Sequence, residues 1–439
     1  MSTARRAGVP MSATRDRRLW ITGVSVSFLG DGAFWLALGI WVKDLTGSNA
    51  RAGLAMFCYL APRVLSPLTG LVADRFRRRG VLLVTYPLMA AEVLLVLFVH
   101  GREQVWLVYA VFAGLGVGSG IAAAAGSALL TLLVPPDDLG RANAVLRTAK
   151  ELGMLVAPVA GAGLYALAGA HLVAVLEAVT FALAAACVAL LSLREPRPAG
   201  RGSALRRELV AGMVHLRDTR TLRQVLTAVA AAMLALGVFE TLVYAVVDAD
   251  LHRPPAFLGV LVAVQGVGSV AGGLAAMRLA RRHTERWLVV AGLLLIAAGT
   301  AAILVPGLAA ALAGTVVFGL GVPVAVVGLF TALQRYTPAE LQGRVAAAAD
   351  TMITVPQVLS IALGAALVSV LDYRVLLAGV VVVVAASGGW LASRRVFDGQ
   401  HPAAGGTVIV RVPDAGVPGS AGAVRDAAAD GADLEPVRR

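Results

Sequence analysis

Five ionisable side chains interrupt runs of apolar residues that otherwise carry almost no charge: Asp31, Arg63, Glu92, Glu177 and Glu240. A charged group surrounded by hydrocarbon is costly, so each calls for a compensating role. Asp31 stands mid-run between Gly30 and Gly32. A carboxyl there can carry a proton or hold a cationic substrate; it can equally be a buried acid satisfied by neighbouring helices. Arg63 follows Pro62 and suits an ion pair with an acidic side chain. Glu92 and Glu177 can bind a cation or simply pair. Glu151 lies four residues after Arg147, on the same helix face, as a structural pair would. Asp350 falls within the first turns of a later run, where the helix dipole alone accounts for an acid.

Other chemistries find no support in the spacing. The six histidines, at 100, 171, 215, 252, 283 and 401, are scattered, and none has metal-ligand spacing. There is no phosphate-binding loop, nucleophile elbow or metalloprotease signature. Gly114, Gly116, Gly118 and Gly120 mimic a dinucleotide fingerprint, but no strand signal precedes them. They read as close-packing positions, with Gly116 and Gly120 letting a neighbouring helix approach. Cys58 and Cys187 each lie in an apolar run and read as free thiols acting as small apolar residues. The expectation is a chain without metal, cofactor or enzymatic activity, and one that does not hydrolyse ATP.

The elements that must hold these groups follow from composition. Of 439 residues, 58% are hydrophobic and 15% charged, too little polar surface for a soluble chain of this size. Apolar runs of about 20 residues span a bilayer. Such runs fall at about 19–42, 52–70, 80–99, 105–134, 144–168, 171–193, 221–247, 256–280, 287–306, 308–334, 345–370 and 373–393. Gly and Pro punctuate the joints, at Thr46-Gly47-Ser48-Asn49, His100-Gly101-Arg102, Gly169-Ala170-His171 and Pro306-Gly307. The first run is too long for a signal-peptide core and leads straight into further spans.

Twelve spans put both ends of the chain on one side, and the basic residues say which. The net charge of +12 is not gathered in one patch, as a nucleic-acid binder would have it. The arginines gather instead at alternate joints, around residues 15–18, 75–79, 141–150, 194–223, 278–286, 335–344 and 394–395. The opposite joints hold Lys43, Arg51, Arg102, Arg253 and Arg374. By the positive-inside rule both termini are cytoplasmic, and the arginines also attract anionic lipid headgroups.

The expected organisation is a cytoplasmic segment 1–18, a six-helix bundle 19–193, a linker 194–220, a second six-helix bundle 221–394 and a tail 395–439. In the linker, Leu205, Leu209, Met213 and Leu216 share one helical face flanked by arginines, the pattern of an amphipathic helix at the membrane surface. The tail is rich in Ala, Gly, Pro and Asp without periodicity, the composition of disorder.

The two bundles repeat at an offset of 203 residues. Pro135 with Gly140-Arg141 recurs as Pro338 with Gly343-Arg344. Gly70, Arg75, Arg78-Arg79 and Gly161 recur as Gly273, Arg278, Arg281-Arg282 and Gly364. Two parallel six-helix repeats enclosing a site near mid-membrane are a common transporter plan.

The loop between spans two and three, Gly70-Leu71-Val72-Ala73-Asp74-Arg75-Phe76-Arg77-Arg78-Arg79, is similar to the Gly-x-x-x-Asp-Arg-x-x-Arg-Arg/Lys loop of the major facilitator superfamily. Span five carries Gly153-x-x-x-Ala157-Pro158-x-x-Gly161, which resembles the signature of that superfamily's drug antiporters, with Ala157 and Ala162 in place of two glycines. Gly30-Asp31-Gly32 and Asp138-Leu139-Gly140-Arg141-Ala142-Asn143-Ala144 look like the macrolide-efflux and enterobactin-exporter branch. The resemblance covers about 19–395. Two positions depart from it: Val108–Ala113 in span four lacks an arginine that many proton-coupled antiporters carry, and Met277 stands at the repeat of Asp74.

The resemblance implies an all-α integral membrane fold of twelve helices in two pseudo-symmetric six-helix bundles. It implies a proton-coupled exporter of small amphipathic compounds, such as drugs, macrolides or siderophores, in a bacterial cytoplasmic membrane. The protein would act as a monomer by alternating access. Its partners would be a small-molecule substrate, protons and lipid, with no nucleic acid. An import permease of the same fold is the alternative, and a membrane-embedded enzyme or a non-transporting sensor is a more distant one. Within that frame Glu240 lies on a cavity-lining helix. Gly70, Asp74, Arg75, Arg78, Arg79 and Asp350 form a cytoplasmic gate, with Asp74 pairing with arginines and capping span eleven. Pro158 bends span five, and Gly161 lets the other half come close.

Overall fold

The computed structural model describes residues 11–65, 75–193, 195, 212–338 and 341–394, and the regular structure of these residues is helical throughout. Twelve long helices follow in order: α1 (Met11–Thr46), α2 (Asn49–Leu60, continued by a 3-10 turn Ala61–Leu65), α3 (Arg78–Leu94), α4 (Val105–Leu133), α5 and α6 within Pro136–Ala189, α7 (Arg220–Ala245), α8 (Leu258–Leu279), α9 (Glu285–Ile303), α10 (Leu308–Arg335), α11 (Gln342–Leu367) and α12 (Tyr373–Ser393). The joint between α5 (136–168) and α6 (170–189) is Gly169, whose φ of 76° and ψ of 176° lie outside helical space. A side chain is strained there, so glycine breaks an otherwise continuous apolar run.

Local chemistry sets several of the starts. The side chains of Ser48, Thr284 and Asp372 accept hydrogen bonds from the backbone N–H of Arg51, Trp287 and Arg374, satisfying donors that a helix start leaves orphaned. Pro136 occupies the first turn of α5, where its missing N–H costs nothing. Among the described residues, ten stretches are long and apolar enough to cross a membrane. One of them, Val156–Ala189, contains the Gly169 joint, and the described part of α2 is too short to count. That is how ten stretches and twelve helices agree.

Each half has its own core. In the first, Phe34 of α1 meets Phe112 of α4 edge to face at 6.2 Å, amid a cluster running from Trp20 to Leu191. An aromatic pair of this kind adds roughly 1 kcal/mol beyond packing. In the second, Phe239 of α7 stacks on Phe318 of α10 at 5.0 Å. The repeat is visible in the packing: Gly161 of α5 lies on the backbone of Ala33 in α1, and its counterpart Gly364 of α11 lies on Val238 in α7. Neither position has room for a β-carbon. Lipid offers no hydrophobic drive between helices, so small residues that permit close approach hold such bundles together.

The halves meet along α2 and α11, and at the ends of α1, α2, α5, α7 and α8 remote from the start of α1, called here the far face. There Leu36, Ile40, Ala52 and Ala162 of the first half pack with Tyr244, Val247, Leu258 and Leu261 of the second. Gly53 lies against Thr241, Gly39 against the Tyr244 hydroxyl, and Gly259 against Ala162.

In the linker, residues 212–218 form a short helix on the second half. Leu216 is buried, His215 Nε2 lies 2.9 Å from the Tyr336 carbonyl oxygen, and Gly212 packs on the Arg344 carbonyl. Met213, expected on the same face as Leu216, is exposed. The segment turns its Leu216 side to the ends of α10 and α11. Leu205, Leu209 and the tail 395–439 lie outside the described residues.

Candidate functional site

Glycines on one side of α1 bring α6 unusually close. Gly23 packs on Cys187, and two turns further Gly30 packs on Glu177 and Thr180. That approach sets the Glu177 carboxyl beside α1, near Asp31. Thr180 Oγ1 donates to Glu177 Oε2 at 2.8 Å, which fixes the rotamer. Glu177 is only 1% exposed, out of reach of bulk water. Tyr86 of α3 completes the surroundings. It lies near Asp31 and stacks on Phe181, one turn after Glu177, with ring centres 6.4 Å apart. Sequence reasoning named Asp31 and Glu177 separately, and the structure makes them one pair.

On its other side α1 meets α5. Gly32 sits against Ala157 and the Gly153 carbonyl, Gly153 against the Phe28 carbonyl, and Gly161 against Ala33. The span-five motif is thus the α1–α5 packing surface, with Pro158 at its centre, 3.7 Å from where a β-carbon on Gly32 would be. This corrects the expectation for Gly161. Its close neighbour belongs to its own half, and it is the next residue, Ala162, that meets the other half at Gly259.

The other candidates occupy separate places. Glu240 is on α7 one turn before Tyr244, the residue whose hydroxyl packs on Gly39. Glu92 lies on α3 with its carboxyl against Gly114 of α4, at the edge of an open groove. Asp350 is exposed, and α11 begins at Gln342. It stands in the third turn of the helix, beyond the first-turn reach of the dipole that the sequence suggested. Arg75 is exposed. The side chains of Arg63, Arg147 and Glu151 and the whole of Gly70 and Asp74 lie outside the described residues.

Arg78 and Arg79 serve the first half itself. The backbone N–H groups of Arg78 and Arg79 both donate to the Glu195 carboxylate, at 2.8 and 3.1 Å, and the Arg78 guanidinium reaches it at 3.3 Å. The Arg79 guanidinium donates to the Val188 and Ala189 carbonyls, which close the end of α6. Glu195 was missed in the sequence. An acid beside Arg194 at the opening of the linker was the available signal.

The far face carries a second group that sequence reasoning did not single out. Lys43 Nζ donates to Asp248 Oδ2 at 2.7 Å, joining α1 to the end of α7 across the halves. Lys43 is 7% exposed and Asp248 58% exposed in their side chains. Beside it, the Tyr165 hydroxyl donates to the Asp44 carboxylate, tying α5 to α1. The described residues thus set two acids side by side inside one half, and form a packed, ion-paired contact between halves on one face. That is equipment for moving a solute between compartments, not for making or breaking its covalent bonds.

Comparison with known proteins agrees. No curated protein matches the chain. Among solved structures, a bacterial homologue of the human lysosomal transporter Spinster, inward-facing and unoccupied, superposes with a TM-score of 0.68 at 13% identity, over 88% of this chain and 97% of that one. A bacterial homologue of the iron transporter ferroportin, in an inward-facing state, gives 0.65 at 17% identity, over 87% and 99%. A POT-family transporter in complex with a thioalcohol-conjugated peptide gives 0.67 at 12% identity, over 86% and 95%. At such identities these likenesses speak for the fold. A sequence model of the Major Facilitator Superfamily matches residues 20–249 and 225–417, nearly all of both halves. The chain is a transporter, not an enzyme, and it belongs to the Major Facilitator Superfamily.

Proposed function

We propose that the protein exports small amphipathic compounds from the cytoplasm in exchange for protons, using Asp31 and Glu177 as its proton-carrying pair. The observation that carries this reading is the closeness of the two acids, with Glu177 buried between α1 and α6. A proton held there is shielded from water, and a cationic or hydrogen-bonding substrate that displaces it couples the two fluxes. No arginine in α4 is then needed, which accounts for the apolar stretch Val108–Ala113.

The wider reading follows from the charge asymmetry. The arginine-rich face is cytoplasmic, with both termini on it, in a bacterial cytoplasmic membrane. The far face is then external. With the halves packed there, the described state is closed to the outside. Export requires that contact to open while the cytoplasmic side closes, the two halves rocking about the site. Asp74, Arg75 and Asp350 belong to the cytoplasmic gate in this reading. Glu240 lines the cavity on the second half. The protein works as a monomer. The motifs around Asp31, Asp138 and Pro158 favour the branch of macrolide and siderophore exporters over an import permease.

A susceptibility panel of macrolides, lipophilic cations and siderophores tests the direction. Cells lacking the gene should become sensitive to at least one class, and overexpression should raise tolerance about tenfold. Asp31→Asn, produced in equal membrane amounts, should give no protection. Greater sensitivity on overexpression would mean uptake and would overturn the export reading.

A further inference from the structure

Glu92 is the one acid among the in-span candidates that the coupling pair does not use and that faces outward. Along α3, Val84 and Leu88 are 68% and 64% exposed and Leu95 is 43% exposed. Between that strip and Val117 of α4 runs a groove of about 1110 Å³, with Arg77 at its near-face end. In a bilayer this surface is met by lipid. Gly114 and Gly118 line its floor. The Glu92 carboxylate lies directly on Gly114, where any side chain would displace it. It has no hydrogen-bond or ion-pair partner among the described residues. An acid facing hydrocarbon is costly in its charged form, and intramembrane acids normally turn to the bundle interior or to a partner. The missing partner is therefore to be sought in what fills the groove.

We infer that the groove binds a lipophilic amine, whose ammonium pairs with Glu92 while its apolar body lies along the exposed strip of α3. Three observations select this occupant. The groove, at about 1110 Å³, is roomy enough for a drug-sized body, since ligand pockets run up to about 1000 Å³. The walls are apolar, so a hydrocarbon body is accommodated. The depth excludes a phospholipid headgroup. Glu92 stands fourteen residues after Arg78, about 21 Å along the helix at 1.5 Å per residue. It also stands six residues before Phe98, about 9 Å from the far end. The amine of a headgroup at either surface stays outside that zone, whereas an amine dissolved in the leaflet reaches it. A neutral acyl chain in the groove would leave the carboxylate facing hydrocarbon. The inference builds on the proposed function only in its purpose, which is to gather an amphipathic amine from the bilayer beside the transport path. The binding itself is independent of transport.

The test is equilibrium binding to full-length protein in phosphatidylcholine nanodiscs. The probes are dodecylamine with a dansyl group at its distal end and the matching dansyl dodecanol. The wild type should bind the amine at least tenfold tighter than the alcohol. Glu92→Gln should erase that preference, and Leu88→Trp should weaken both probes by narrowing the groove. Equal binding of amine and alcohol to the wild type would overturn the proposal, as would a preference that survives Glu92→Gln. Replacing half the phosphatidylcholine by phosphatidylethanolamine should not compete; strong competition would make a lipid headgroup the occupant and refute the assignment. Should Glu92→Gln fail to accumulate, Leu88→Trp decides, and unchanged affinities there would refute the groove. Failure of export with probe binding intact would count against the proposed function alone.

Discussion

At the scale of the residue, the account rests on how closely Gly30 admits Glu177. A β-carbon on Gly30 would fall on the Glu177 carboxyl and against Thr180. Gly30→Ala should therefore push Glu177 away from Asp31, at a cost of roughly 1–3 kcal/mol for overpacking. Thermal unfolding in detergent would show a lowered midpoint. Adding Glu177→Ala and Thr180→Ala together should restore most of that midpoint, because both clashing groups are gone, while transport stays lost. A midpoint that is not restored would mean that Gly30 matters for some contact other than Glu177 and Thr180. The sequence marked Asp31, Glu177 and Gly30 as unusual, since charges and glycines within apolar runs are visible there. It did not join them, because which face of α1 meets which face of α6 depends on helix azimuths that no linear spacing encodes. Lys43 and Asp248 were hidden for the same reason, being 205 positions apart.

At the scale of the element, α5 shows what a motif can and cannot say. Its small residues and Pro158 signalled close packing, and they do pack closely. Their partner is α1, through Gly32, Phe28 and Ala33. The contact across the halves falls one residue later, at Ala162 and Gly259. The two positions should consequently behave differently. Gly161→Leu should damage the first half itself and lower the amount of folded protein in the membrane. Ala162→Leu should leave that amount near normal and instead prise α8 from α5 at the far face, making an introduced cysteine there more reactive to a membrane-impermeant thiol reagent. If both variants lowered abundance alike, Ala162 would be a packing residue of its own half. Helix boundaries were legible where caps or glycine mark them, as at Ser48, Gly169 and Gly307. The start of α11 was not, since Gln342 carries no such mark, and Asp350 was accordingly placed too near it.

At the scale of the whole molecule, twelve helices and the 203-residue repeat were legible because bilayer thickness fixes run length and duplication leaves the same residues at the same offset. The conformational state was not, because a transporter sequence must encode both states. The proposed rocking cycle requires the contact at the far face to open, and Lys43 contributes to that contact with a nearly buried charge. Lys43→Met should release Asp248 and raise the far-open population roughly fivefold, about 1 kcal/mol, given that Asp248 is largely exposed. Spin labels at Arg51→Cys and Arg253→Cys, with Cys58 and Cys187 replaced, would report this as a second, longer distance; an unchanged distribution would remove the ion pair from the switch.

The central claim is that solute and proton exchange through Asp31 and Glu177. Proteoliposomes containing a trapped pH-sensitive dye measure this most directly. With a compound chosen from the susceptibility panel held on one side and no imposed pH gradient, the wild type should move protons against the flow of compound, and Asp31→Asn and Glu177→Gln should not. Downhill movement of the compound should persist in Asp31→Asn, because rocking of the halves does not require the charge. Proton movement of wild-type size in either variant, at matched protein amounts, would contradict the account and leave Glu240 as the next residue to test.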